Sequence, residues 1–192
     1  MSDTAGELPR VRGYRGQVTT RPWTRLGILA IAGHLGYEMA AGVAVPLSPH
    51  LGVGGASVVL GAPLAAAYAP AARLTSPHGD RRFAVLNGFF VAAVLAHYSS
   101  WPRAWRKGVP WLTECEGLAG RAIVPYNAIL QISAVAAVGG MIENRSRWRW
   151  GLATALFLSP VLRQATPWEY ARLREQAARR PSWWNRRLAP GS

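Results

Sequence analysis

The chain has 192 residues, of which 50% are hydrophobic and only 16% charged, and its formal net charge is +13. Soluble domains carry about 25% charged residues, so the composition argues against a soluble protein and favours an integral membrane protein. The arginines lie beside apolar segments, where they attract anionic lipid headgroups. We therefore expect membrane lipids as partners and no nucleic acid.

The apolar segments predict the organisation of the chain. Residues 1–25 form a basic N-terminal tail, residues 26–163 a transmembrane helical domain, and residues 164–192 a basic, tryptophan-rich tail. A stretch of about 20 apolar residues can cross a bilayer as a helix. Five such segments are predicted, and the fifth, of about thirteen residues, is marginal in length. The segments are 26–47, 53–72, 83–100, 122–142 and 150–162.

The predicted fold is an all-α integral membrane bundle of about five transmembrane helices, without a sheet. The segment 101–121 is too polar to span, and we expect it to lie along the membrane interface. The C-terminal tail alternates apolar and basic residues at helical spacing, which predicts an amphipathic interfacial helix. The tryptophans flank the apolar segments or lie between them, as in the aromatic belts of membrane proteins.

The distribution of arginine predicts a multi-pass protein of the cell membrane with a cytoplasmic N-terminus. The N-terminal tail, the loop 73–82 and the turn 143–149 are all basic and would share one side. Two features oppose this orientation. The segment 101–121 would be outside yet net positive, and a crossing fifth helix would place the basic C-terminal tail outside as well.

Glu38 is the main candidate for chemistry. It is the one carboxylate inside a long apolar segment, and a charge at membrane depth costs roughly 2.5–3.5 kcal/mol. His34 precedes it by four residues, so the two side chains share a helix face. We predict that Glu38 and His34 form a catalytic acid–base pair.

Four further polar residues are predicted to face the interior of the bundle. Tyr37 adjoins Glu38, Asn87 lies in the third segment, and Asn127 and Gln131 share one face of the fourth. Such groups either contact a substrate or join helices by hydrogen bonds worth about 0.6–2 kcal/mol each. Both interpretations remain open from the sequence.

Three functions fit this pattern. The first is a small membrane enzyme, an isomerase or cyclase, that transfers protons to a lipid or isoprenoid. The string from His34 to Glu38 is similar to the His-x3-Glu pair of the emopamil-binding sterol isomerase family, which are also small multi-span proteins. That family places tryptophan inside its cavity, whereas the tryptophans here look peripheral. The second function is a proton or solute path formed by an oligomer. The third is an accessory, assembly or immunity-type membrane protein with a partner subunit.

No cofactor and no metal are expected from the sequence. An iron site of two histidines and one carboxylate could use His34, Glu38 and His97, but the predicted depths of these residues place His97 apart. Cys115 cannot form an internal disulfide and lies between two glutamates, which disfavours its thiolate. Those glutamates, Glu114 and Glu116, are predicted to lie in a solvated loop.

Overall fold

The computed structural model describes residues 20–74 and 77–190, so most of the predicted N-terminal tail lies outside the described residues. The described part is mostly helical. Its five α-helices are α1 (Pro22–Ala41), α2 (Ser48–Arg73), α3 (Pro77–Ser100), α4 (Ile123–Glu143) and α5 (Trp148–Arg179). Among them α2, α3 and α4 are long and apolar enough to cross a bilayer. The predicted helical fold is therefore confirmed, with three candidate spans.

The helices run between two ends of the bundle. Helices α1, α3 and α5 run in one direction, and α2 and α4 run in the opposite direction. Contacts between residues along neighbouring helices show these directions. The parallel helices α3 and α5 approach closely where Gly88 meets Gly151. A Cβ on Gly88 would overlap the Gly151 carbonyl, and one on Gly151 would lie 2.6 Å from the Ala84 carbonyl oxygen. These glycines therefore permit close packing of two backbones.

Helix α2 forms an edge of the bundle. Only 11% of its most apolar window is buried, compared with 50% of that of α3. Its exposed side chains are mainly apolar and small, including Val58 and Val59. An exposed apolar surface of this length is what lipid contact requires.

The expectation of a helical bundle without a sheet is wrong for the segment that joins α3 to α4. Two antiparallel hairpins form there: β1 (Arg103–Arg106) with β2 (Val109–Leu112), and β3 (Glu114–Cys115) with β4 (Leu118–Ala119). Lys107 and Gly108 turn the first hairpin and Glu116 and Gly117 the second, all at positive φ. Two-residue turns with both φ values positive match the twist of a hairpin, so the two X-Gly pairs were the signal for strands.

The hairpins cover one end of the bundle, which we call the hairpin end. Leu112, Cys115 and Leu118 are buried there in one apolar cluster with residues of α4, α5 and the C-terminal segment. The C-terminal segment is tied to the end of α1, because the Ala44 amide donates to the Trp184 carbonyl at 2.7 Å.

The fifth helix is longer than predicted. It runs for 32 residues, and the expected interfacial helix is its second half. Pro160 and Pro167 lie within it. Leu173 and Ala177 are buried against the hairpin end. The apolar run stops at residue 162, but a helix can continue where one face remains apolar at a spacing of four residues.

Candidate functional site

Six side chains meet at the hairpin end, and we call them the Glu38 cluster. Helix α1 contributes two of them, α3 and α4 one each, and the second hairpin two. They are His34, Glu38, His97, Tyr126, Cys115 and Glu116. Groups from four separate parts of the chain therefore converge on one buried position.

The Glu38 carboxylate lies at the centre of the cluster with only 1% of the residue exposed. One oxygen, Oε1, is 3.0 Å from His34 Nε2 and accepts a hydrogen bond of 2.9 Å from the Tyr126 hydroxyl. The other oxygen, Oε2, is buried and has no hydrogen-bond partner among the described residues. A buried carboxylate oxygen without a donor is costly, so this atom is the first indication of a missing ligand or proton.

His97 belongs to the cluster, which corrects the prediction that it lies at a different depth. Its Nε2 is 4.0 Å from Glu38 Oε1, and its ring centroid is 4.9 Å from that of His34. The predicted depths assumed one helix over residues 26–47. Helix α1 instead ends at Ala41, because Gly42 adopts φ 86. Glu38 therefore lies in the last turn of α1, at the level of the end of α3.

The tautomer of His97 follows from its hydrogen bond. His97 Nδ1 is 2.8 Å from the carbonyl oxygen of Ala93 on the preceding turn. Since a carbonyl oxygen only accepts, Nδ1 carries the proton in this contact. The lone pair of the neutral ring is then on Nε2, the nitrogen nearer to Glu38.

The second hairpin places a thiol and a second carboxyl group in the cluster. The buried Cys115 Sγ is 3.6 Å from the Tyr126 hydroxyl. Burial and the nearby Glu116 charge raise the pKa of the Cys115 thiol well above its ordinary value. Glu116 was predicted to be solvated, but it is partly buried at φ 50 in the turn. Burial, followed by the charge of Glu38, raises the pKa of Glu116 to about 8.

The two carboxyl groups of the cluster lie near each other. Glu116 is close enough to Glu38 for the Glu38 charge to contribute to its raised pKa. Two ionised carboxylates in a buried position repel each other and share no donor. The site is therefore stable when a cation, either a proton or a metal ion, lies between them.

Two predicted substrate residues hold the first hairpin. Asn127 Oδ1 accepts from the Leu112 amide at 2.8 Å, and its Nδ2 donates to the Leu112 carbonyl at 3.0 Å. Gln131 Nε2 donates to the Tyr98 hydroxyl at 2.7 Å and to the Pro110 carbonyl at 2.8 Å. These bonds fix the first hairpin to helix α4.

The remaining two predicted residues, Tyr37 and Asn87, have other partners. Tyr37 donates to the Ala122 carbonyl at 2.7 Å, and its ring centroid is 6.3 Å from that of Tyr126. Asn87 lies near the opposite end of the bundle, where its Nδ2 donates to Thr24 at 3.0 Å. The structure thus brings His34 and Glu38 together but separates Asn87 from them.

Asn87 is part of a second buried polar group, which we call the Arg21 network. It connects the starts of α1 and α3 with the end of α4. Its members are Arg21, Thr24, Asp80, Asn87, Glu143 and Asn144. Arg21 pairs with Asp80 at 2.7 Å and donates to Asn144 Oδ1 at 2.9 Å. The Arg21 cation is paired with a carboxylate and a neutral acceptor here, and among the described residues Asn87 Oδ1 is the buried network atom that has no hydrogen-bond partner.

Two surface cavities lie elsewhere. One, of about 450 Å³, is bordered by His50 and Arg172, and the other, of about 540 Å³, lies between α3 and α5 near Leu95 and Arg163. Neither is lined by a residue of the Glu38 cluster. The second hairpin covers much of the cluster, although His97 and Glu116 remain partly exposed.

A comparison of the chain with known protein families, curated protein sequences and solved structures finds no match. The functional argument therefore depends on the chemistry of the Glu38 cluster.

Proposed function

We propose that this protein is a multi-pass membrane protein in which the Glu38 cluster is a proton-transfer centre for a lipid-soluble substrate. Glu38 is the proton donor or acceptor, and His34 is its partner. The observation that carries the proposal is the buried Oε2 of Glu38, which has no partner among the described residues. A buried carboxylate oxygen without a partner can exchange a proton with a bound molecule.

The surroundings of Glu38 suit this role. His34 and Tyr126 hold Oε1 at 3.0 and 2.9 Å and thereby orient the carboxyl group. Glu116 is partly buried in the hairpin turn, so it can exchange protons between Glu38 and the surface. A positioned acid with a route for resupply is the minimum that general acid–base catalysis needs.

The membrane part of the proposal is supported by three apolar helices and the exposed apolar surface of α2. We propose the cell membrane as the location and retain the cytoplasmic N-terminus from the distribution of arginine. A hydrophobic molecule would arrive from the bilayer and reach Glu38 when the second hairpin moves. An isomerase or cyclase acting on an isoprenoid or sterol fits such a site. Tyr37, Asn127 and Gln131 would then line the opened space.

A proton path across the membrane is less well supported. Buried apolar side chains separate the Glu38 cluster from the Arg21 network in the described part of the chain. They include Ile28 on α1, Phe90 on α3 and Ala137 on α4. Protons need polar groups or water to cross such a layer, so an enzyme or accessory role explains the cluster better than transport does.

The test is a search for small molecules that co-purify with the full chain from membranes. Mass spectrometry of lipid extracts should detect a hydrophobic molecule enriched with the parent protein. Glu38→Gln keeps the shape but cannot exchange a proton, so it should change the amount or the chemical form of that molecule. Glu114→Gln, at an exposed residue of the same hairpin, is the matched control. Identical extracts from Glu38→Gln and the parent would refute the proposal.

A further inference from the structure

We propose that the Glu38 cluster binds one divalent transition-metal ion, held by His97, Cys115 and Glu116 beside the Glu38 carboxylate. The inference deepens the proposed function. It rests on that function only because both use the Glu38 cluster. Zinc is the ion that best matches a donor set of imidazole, thiolate and carboxylate.

The distances between donor atoms carry the proposal. One ligand atom from each of His97, Cys115 and Glu116 lies within 4.8 Å of the others. Zinc bonds of about 2.0–2.3 Å place the ligand atoms of one ion roughly 3–4 Å apart. Small side-chain movements therefore suffice to bring all three donors onto one ion.

His97 is already oriented as a ligand. Its Nδ1 donates to the Ala93 carbonyl at 2.8 Å, which leaves the Nε2 lone pair directed towards the cluster. Metal-binding histidines commonly donate their other ring N–H to a backbone carbonyl or a carboxylate in this way. The helix α3 thus fixes both the tautomer and the position of the ring before any ion binds.

Glu38 supplies the second, independent observation. Its side chain is 2% exposed, and its Oε2 has no partner among the described residues. His34 and Tyr126 hold the other oxygen, so they can orient Glu38 without coordinating the ion. A divalent cation bound to Glu116 would also offset the repulsion between the carboxylates of Glu38 and Glu116.

A second donor set overlaps the first. Ligand atoms of His34, Glu38 and His97 also lie within 4.8 Å of one another. That set lacks sulfur and would suit iron better than zinc. We favour the set with Cys115 because His34 Nε2 is already engaged by Glu38 at 3.0 Å, whereas the Cys115 thiol makes only a weak contact of 3.6 Å.

The experiment uses the full chain purified in detergent without chelator. Elemental analysis should find about one zinc ion per chain, and Co²⁺ added to the metal-free protein should give the intense absorption of a cobalt–thiolate bond. Cys115→Ser should abolish that absorption and weaken Zn²⁺ binding at least 10-fold. Glu114→Gln should change neither, since Glu114 is exposed on the same hairpin.

Two results would overturn the inference. The first is a parent protein whose affinity for Zn²⁺ and for Co²⁺ is no higher than that of the double variant Glu114→Gln/Cys115→Ser. The second is a Cys115→Ser protein that keeps the parent's Co²⁺ spectrum and affinity, because the ion would then be bound by the set without sulfur.

His34→Gln separates this inference from the proposed function. His34 is a partner of Glu38 in proton transfer but not a ligand in the favoured set. If the metal binds normally to His34→Gln while the co-purifying molecule is unaffected by Glu38→Gln, the proton-transfer proposal fails and the metal site stands. If no metal binds but Glu38→Gln alters that molecule, the metal site fails and the proton-transfer proposal stands.

Discussion

The two buried polar groups of this protein link the same three helices but are built on opposite electrostatic principles. In the Arg21 network a cation meets a carboxylate and several neutral acceptors, and Asp80 pairs with Arg21 at 2.7 Å. In the Glu38 cluster two carboxyl groups lie near each other, and Glu38 Oε2 has no donor among the described residues. A network that satisfies its own charges stabilises a fold, whereas a cluster that does not is organised for a proton or a ligand.

The two groups also differ in how they serve the backbone. Glu143 accepts from the amide and hydroxyl of Thr24 at 3.0 and 2.8 Å, so it caps the start of α1. Positive φ does not distinguish the groups, because Arg21 in the network adopts φ 40 and Glu116 in the cluster adopts φ 50.

The largest predicted effect is on the Arg21 network. Arg21→Gln should lower the free energy of unfolding by about 3–5 kcal/mol, because Asp80 would remain without its cationic partner beside a buried site. Thermal unfolding in detergent would measure the loss. Arg82→Gln, at an exposed position on α3, should unfold within about 0.5 kcal/mol of the parent. Equal stability of the two variants would show that the network does not hold the helices together.

A pair of glycines sharpens the comparison. A Cβ on Gly140 would overlap the Asn87 amide in the Arg21 network, whereas one on Gly36 meets nothing within 4 Å. Gly140→Ala should therefore cost about 1–3 kcal/mol by overpacking. Gly36→Ala should be neutral or stabilising by up to about 1 kcal/mol, since alanine is the better helix former. The same unfolding measurement checks both, and a tolerated Gly140→Ala would contradict the packing described.

Metal binding should weaken as the pH falls. The pKa of Glu116 is raised to about 8 and that of Cys115 lies well above its ordinary value, so both hold protons at pH 7 in the metal-free protein. Zn²⁺ must displace these protons, which lowers the apparent affinity up to about 10-fold per pH unit for each. Above pH 8 the contribution of Glu116 ends. Competition titrations at several pH values measure the slope, and Glu116→Gln should make it shallower below pH 8.

Tyr126→Phe should have a smaller effect. The hydroxyl donates to Glu38 Oε1 at 2.9 Å and contacts the Cys115 thiol. Its loss should cost about 0.5–1.5 kcal/mol, as for a typical hydrogen bond. Phenylalanine preserves the ring packing against His34, which has a centroid distance of 4.9 Å. A loss above about 3 kcal/mol would indicate that Tyr126 is structural rather than a positioning residue for Glu38.

The sequence predicted part of the fold and one half of the site. Apolar length identified the helices, and the spacing of four residues placed His34 and Glu38 on one face. The other half depends on backbone geometry that apolar length does not reveal. Gly42 ends α1 soon after Glu38, which moves the carboxylate to the level of His97.

The two X-Gly turns between α3 and α4 are a second feature of the backbone that apolar length does not reveal. They fold a region that composition described only as interfacial, and they bring Glu116 near Glu38. Asn127 and Gln131 illustrate the remaining limit. Their inward direction followed from the helix period, but their partners on the first hairpin could not be foreseen without the strands.

The unfolding of Glu38→Gln tests the central claim most directly. If Glu38 is held close to a second carboxylate, the neutral amide should leave the metal-free protein as stable as the parent or raise its unfolding temperature above pH 8, where Glu116 is ionised. The unfolding temperature of Arg21→Gln, measured under the same conditions, should be several degrees lower than that of the parent. A loss for Glu38→Gln as large as that for Arg21→Gln would contradict the account, because Glu38 would then be a structural residue like those of the Arg21 network.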